Sequence, residues 1–495
     1  MALGKRQTLF LASQIGLLCL SIMFVPPRSL ASKSSQSALI TEIRKSASSD
    51  RADFLIVSLR QQGAPAIAAL VQMAKNEKEP LRSRLFAIRA LGQFREDAKP
   101  AVPTLIALLK SNQKAVRLAT LEALSEIRES AKAAVPLIIP LLNDRNEAVR
   151  AMAAEALGNI GRDAKAAVSG LIEALNDPSR MVRLKAIGAI GNIGIEAKGA
   201  IAPLTDMLAA PEQDVRLAAI GALGRFGTEA KRAVPLLAEA LDDPESLIRT
   251  ATATTLGGIG AEASSAVPQL IRALRHPDSR TRSFAATALG MIGNSAKDAV
   301  PTLTDVLKDP EKGVQIRAAS ALGGIGLEAR SALPELVKLL RDENLNLRVS
   351  TAFAISQIAG ALQDKATTLS ASEINTVYTT LESTLPILQD PQAQFRSEIA
   401  DTVRRSLSVL RNEKDSRLFE RFFEWTQANP IFAGILLYLI SMPSLWFTVL
   451  LIRPLWLLKI NNGLQPYTDF EIPSPMGGVI RIPLRFVLFV GWFQT

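Results

Sequence analysis

The residues of this chain best suited to chemistry come in rows. Arg117, Arg150, Arg183, Arg216, Arg249 and Arg282 follow one another at intervals of 33, extended by Arg84 on one side and by Gln315 and Arg348 on the other. Asp144, Asp177, Asp243, Asp309 and Asp342 each stand six residues ahead of a position in that row. A guanidinium offers five donors in a planar fork that matches a carboxylate two-pronged. The two rows together therefore predict a structural ladder in which turn aspartates pair with arginines of neighbouring units and also cap the helices that follow. Without the aspartates, the same arginines would point to ligand binding.

A second row is Lys99, Lys132, Lys165, Lys198, Lys231, Lys297 and Arg330, in the same 33-residue register, with Ser264 at one position. Stacked units would align these cations along one edge, a basic stripe able to meet an acidic protein or lipid headgroups. Asp97, Asp163, Glu196, Glu229, Glu262 and Glu328 stand two residues earlier and blunt the stripe. On a second reading, both rows simply decorate the start of the first helix of each unit. Nucleic acid is not an expected partner: the net charge of +10 is spread along the chain among acids, and no aromatic residues interleave the row.

Other chemical signals dissolve in context. Gly258-Ile259-Gly260-Ala261-Glu262-Ala263 and Gly324-Ile325-Gly326-Leu327-Glu328-Ala329 match a loose dinucleotide fingerprint, yet each follows a helical pattern instead of a strand and is one copy of a repeated turn. No Gly-x-x-x-x-Gly-Lys-Ser/Thr occurs. His276, the one histidine, takes a turn position that other repeats fill with Asp, and Cys19, the one cysteine, sits in an apolar N-terminal run. Thiolate metal sites and disulfides are excluded from the folded body, and no nucleophile is paired with a base. The expectation is no catalytic residue, no metal and no cofactor.

The elements that carry the rows are short helices. Apolar residues make up 48% and aromatic residues only 5%, a composition that suits closely packed helices better than sheets. A proline row at 103, 136, 235, 268, 301 and 334 keeps the register, with Ser169 and Ala202 filling two gaps. Each unit reads like Ala134-Val135-Pro136-Leu137 through Asp144, then Ala148-Val149-Arg150 through Gly161. Val149, Ala153, Leu157 and Ile160 share one helical face, and Gly161 is expected in the left-handed conformation that ends a helix. Two helices per unit and about nine pairs follow. Residues 35–63 and 385–410 are expected as caps, the latter a degenerate tenth unit with Asp390 and Arg396.

The succession Asp, Val-Arg, Ala-Leu-Gly, Ile-Gly resembles HEAT-like repeats over residues 60–360, particularly the short variety of phycobilin lyase subunits of cyanobacteria. Ankyrin and tetratricopeptide signatures are absent. The resemblance implies an all-α solenoid spanning 32–410. It also implies, as an alternative function, a phycobilin lyase-like enzyme or chaperone of bilin attachment. A single histidine excludes a similarity to the HEAT-like di-iron hydroxylase of deoxyhypusine.

Lys5 and Arg6 precede an uncharged run that ends at Ser29-Leu30-Ala31, so residues 1–31 read as a secretory signal. Residues 431–452 contain 22 positions without a charge and read as a transmembrane helix, flanked by the interfacial residues Trp446, Arg453, Trp456 and Lys459. The basic residues Arg411, Lys414, Arg417 and Arg421 of the linker 411–430 oppose export of the repeats. Long domains translocate largely regardless of such charge, so the repeats are expected outside the cytoplasm and the tail 453–495 inside. In that tail, residues 479–486 alternate too briefly around Pro483 to predict a strand. The segment is similar to the linker between HEAT repeats and a NACHT-type NTPase, which implies the sensor half of a split or truncated switch. The expectation for the whole is a non-enzymatic, single-pass membrane scaffold that binds a protein partner.

Overall fold

The computed structural model describes residues 40, 41, 43, 44, 52–363, 365–390, 397–429, 470–473 and 479–482. The expected signal at 1–31 and the apolar run at 431–452 lie outside them. Among the described residues no helix is long and apolar enough to cross a membrane. The chain divides into two compact units, Met1–Leu410 and Arg411–Thr495.

The first unit is an all-α solenoid. Eight helix pairs run from Val102 to Gly360 at the 33-residue period, and the pair Ala64–Lys75 and Leu81–Gln93 stacks ahead of them. Each pair has a short leading helix, such as Val168–Ala174, and a longer trailing helix, such as Glu147–Ile160 or Arg180–Ile193. Proline opens many leading helices, for example Pro103, Pro268 and Pro301, where its missing N–H is one that the helix leaves unbonded anyway. The predicted face is the core: Val149, Ala153, Leu157 and Ile160 are fully buried.

A seven-residue 3-10 segment, such as Arg128–Ala134 or Gly161–Ala167, links each trailing helix from Leu81–Gln93 to Lys312–Ile325 to the next leading one. Gly161 has φ 75° and ψ −139°. This corrects the left-handed helical expectation: φ is positive, but ψ lies in the mirror-extended region where a side chain fits poorly. Within the segment Ala164 and Ala167 are buried. Residues three apart eclipse one another in a 3-10 turn, so two inward alanines leave Lys165 outward. The lysine row thus sits on the connectors, ahead of the leading helices and not at their start.

The C-terminal end of the solenoid also differs from expectation. The final pair is Ala371–Leu388, opened by a Ser370–Glu373 capping box, and Ser397–Ala428. Helix therefore begins earlier than the expected tenth unit and runs on through most of the linker. In the second unit Phe470–Pro473 and Val479–Ile482 pair antiparallel, with Phe470 opposite Ile482 and Pro473 opposite Val479. Residues 479–482 do form a strand, because a partner strand supplies the ladder and Pro473 falls at its end, where no donor is needed.

Candidate functional site: the charged rows and the trailing-helix face

The turns between leading and trailing helices hold the arginine ladder. Arg150 reaches into the following unit and grips Asp177 with both prongs, Nε to Oδ2 at 2.7 Å and Nη2 to Oδ1 at 2.8 Å. Arg282 grips Asp309 in the same way at 2.7 and 2.9 Å. Arg117 pairs with Asp144 at 3.0 Å and Arg216 with Asp243 at 3.1 Å. Each arginine also donates to a carbonyl of its own turn, as from Arg150 to Asp144 and from Arg183 to Asp177.

The aspartates are not helix caps, which corrects the sequence expectation. The N-cap lies two residues later, at Asn146 or Ser179. The aspartate instead closes a turn by accepting the backbone N–H of that residue, Asn146 onto Asp144 at 2.9 Å and Ser179 onto Asp177 at 2.8 Å. One carboxylate thus folds its own turn and fastens the preceding unit. The Arg150 hydrogen bonds, aided by the Ser179 amide, outweigh burial and hold the Asp177 carboxyl below the usual aspartate range.

Ser111, Ala210 and His276 stand where other units have the aspartate, and at the last two the ladder reroutes. Ala210 leaves Arg183 to pair with Glu212 at 2.5 Å. His276 accepts the Asp278 N–H through Nδ1 at 3.0 Å, reproducing the turn bond. Arg249 then takes Asp278 at 3.2 Å and Thr281 Oγ1 at 3.0 Å. Where Gln315 replaces arginine, its amide still reaches the Asp309 carbonyl, and Lys312 serves Asp342 at 2.7 Å. From Arg117 to Arg282 the ladder's arginines are all paired with carboxylates, while Arg84 and Arg348 at its ends donate to backbone carbonyls.

The lysine row occupies the opposite edge, where successive connectors touch. Lys132 lies 3.9 Å from Asp163 of the next unit and Lys231 3.7 Å from Glu262. Arg330 is engaged by Glu373 and lies 3.7 Å from Glu328. Lys99, Lys165, Lys198 and Lys297 are exposed, and among the described residues none has a carboxylate at ion-pair distance. The stripe is therefore interrupted, with Lys132, Lys231 and Arg330 partly neutralised.

Two features escape a reading by rows. Successive trailing helices touch through glycine against alanine: a Cβ at Gly158 would lie 2.6 Å from Ala189 Cα, and one at Gly290 2.7 Å from Ala321 Cα. The second is a cleft of about 420 Å³ between the trailing helices Ser279–Ile292 and Lys312–Ile325, lined by Arg280, Ser283, Phe284, Thr287 and Arg317 among others. Its signal in the sequence is a run of trailing helices without acids. Among the described residues no three His, Cys, Asp or Glu side chains gather where they could hold a metal ion.

A solenoid of helix pairs, stapled unit to unit by an arginine–aspartate ladder, defines the class. The profile of HEAT repeats matches residues 67–138, 102–169, 135–212, 168–257, 234–323 and 300–372, together more than half of the chain. The chain belongs to the HEAT-repeat family. No curated protein matches it. Among solved structures, an engineered protein is similar at 24% identity over 70% of this chain and 98% of its own, with a TM-score of 0.49. Yeast importin-β (Kap95p) is similar at 14% identity over 80% of this chain and 60% of its own, with a TM-score of 0.47. The karyopherin Kap121p, bound to the extreme C-terminus of the phosphatase Cdc14p, is similar at 13% over 88% and 52%, also with a TM-score of 0.47.

Proposed function

We propose that the chain is a non-enzymatic scaffold that holds a protein partner at a membrane, with its repeats on the extracytoplasmic side. One observation carries this reading: the ladder consumes its own charges inside an unbroken stack of helix pairs, leaving the trailing-helix layer and the connector edge as long exposed surfaces. A solenoid of this kind stacks each unit only on its neighbours and presents an extended surface. Placement at a membrane rests on the uncharged stretch 431–452 and on the basic and aromatic residues that flank it.

Three measurements test the proposal. The full-length chain should remain in the membrane fraction through alkaline carbonate extraction, and a reporter active only outside the cytoplasm should work when fused after Arg411. Photo-crosslinking from the solenoid in intact membranes should trap a discrete protein. Release by carbonate would remove the anchor. A reporter active only in the cytoplasm would reverse the orientation and revive the bilin-lyase reading. Failure of crosslinking at every surface tried would remove the scaffold.

A further inference from the structure

The trailing-helix face is two surfaces. Toward the N-terminal end it carries the acids Glu122, Glu126, Glu147, Glu155 and Asp214, and three of them are joined to a base of a neighbouring trailing helix: Glu122 to Arg89, Glu155 to Lys185 and Asp214 to Arg180. The next four trailing helices, Ser246–Ile259, Ser279–Ile292, Lys312–Ile325 and Leu345–Gly360, contain no aspartate or glutamate at all. The first half pairs several of its charges within the face, whereas in the second the turn acids engage Arg249, Arg282 and Lys312 but not Arg280 or Arg317.

Apolar groups gather in the acid-free half. Leu247, Phe284, Met291, Leu345 and Phe353 are all exposed there, Met291 by 54%. Arg280 and Arg317 stand on adjacent helices at the cleft, and among the described residues neither has a carboxylate at ion-pair distance. Gly313 lines the cleft, and a Cβ there would meet nothing within 4 Å. Glu311 is the one acid at its rim. Exposed Arg, Phe and Met with Asp and Glu depleted is the composition of an interface centre, not of an ordinary solvated face.

We infer that this cleft docks an acidic segment of a partner protein that also carries large apolar side chains. The inference rests on the scaffold reading above and gives the partner its chemistry. Carboxylates of the segment bridge to Arg280 and Arg317, and an apolar side chain lies between them on Phe284. Adjacent helices are about 8–10 Å apart, roughly three residues of extended chain, so one short segment reaches both guanidiniums. A phosphate backbone would need many more contiguous cations to bind at physiological salt. Two arginines around an aromatic suit a peptide.

The test uses the full-length chain in detergent and a fluorescein-labelled peptide in which Asp and Glu alternate with Leu and Phe. Its counterpart replaces every acid by the amide. The acidic peptide should bind at least ten-fold more tightly than the amide peptide. Arg280→Glu with Arg317→Glu should remove at least ten-fold of that affinity while the far-UV dichroism melt stays in place. Arg82→Glu with Arg89→Glu, the same charge change at the other end of the face, should leave affinity within two-fold. Equal binding of both peptides, equal loss from the two double variants, or tighter binding of an oligouridine would each overturn the inference. If the peptide is indifferent to Arg280 and Arg317 while photo-crosslinking still traps a protein, the docking site is wrong and the scaffold stands. A chain that neither binds the peptide nor crosslinks a protein loses both.

Discussion

At the scale of a residue, each ladder aspartate serves two masters, and its removal exposes both. Asp309 accepts two prongs from Arg282 and the backbone N–H of Glu311. Asp309→Ala leaves the half-buried Arg282 with only the His276 and Pro277 carbonyls, at a cost of about 2–3 kcal/mol, between a lost charged hydrogen bond and a broken buried pair. Urea unfolding should show this, and the apolar pair Arg282→Met with Asp309→Leu should cost less than the sum of the single changes. Acid should act on the same bonds. Arg150 holds Asp177 below the usual range and Lys312 does so for Asp342, while at Asp309 burial pushes the other way but is outweighed by Arg282 and the Glu311 amide. A carboxyl whose folded pKa is depressed adds stability that is complete above its unfolded pKa, about 3.9, and is lost as pH falls through the folded value. The urea midpoint should therefore stay level from about pH 5 to pH 8 and fall steeply below about pH 4. A midpoint that rises on acidification would contradict the ladder.

At the scale of the element, the trailing helices stack closely because glycine faces alanine along the seam. The same substitution should have opposite signs at two glycines of neighbouring helices. At Gly158 a Cβ would meet Ala189 Cα at 2.6 Å and Cβ at 2.9 Å, so Gly158→Ala should destabilise by about 1–3 kcal/mol through overpacking. At Gly188 nothing lies within 4 Å, so Gly188→Ala should gain up to about 1 kcal/mol from helix propensity alone. Thermal melts of the two variants decide it, and equal shifts of the same sign would refute the seam. The 3-10 connector is a second device of this scale: its buried alanines fix which side chain points outward, and that side chain is the lysine of the row.

At the scale of the whole molecule, the proposed docking of an acidic partner assigns different tasks to the lysine row and the cleft. Exposed charges contribute little to stability one by one, so Lys99→Glu, Lys165→Glu and Lys198→Glu together should move the unfolding midpoint by less than about 1 kcal/mol. Their effect belongs to encounter: distant charges steer association and are screened by salt. Stopped-flow mixing with the acidic peptide should show an association rate several-fold slower at low salt, a difference that vanishes at high salt, and an unchanged dissociation rate. Reversal of Arg280 and Arg317 should instead speed dissociation. A lysine variant that dissociates faster would move the docking site to the connector edge.

Much of this was legible in the sequence because a solenoid turns local order into tertiary order. Each unit touches mainly its neighbours, so a 33-residue period names the helix pairs, the core face and the ladder partners, Arg150 with Asp177 and Arg282 with Asp309. The tertiary structure alone decided which of those neighbours meet. Lys132 and Asp163 form a pair, while Lys165 and Glu196, at the same separation in the chain, do not. The aspartates proved to be turn closers because backbone geometry, not composition, sets where a helix begins. Ala210 and His276 broke the ladder on paper, yet Glu212 and Asp278 were within reach of Arg183 and Arg249. The acid-free face exists only once four helices lie side by side. Spacing fixes which residues are neighbours; rotation of the helices and the reach of each side chain fix which atoms touch.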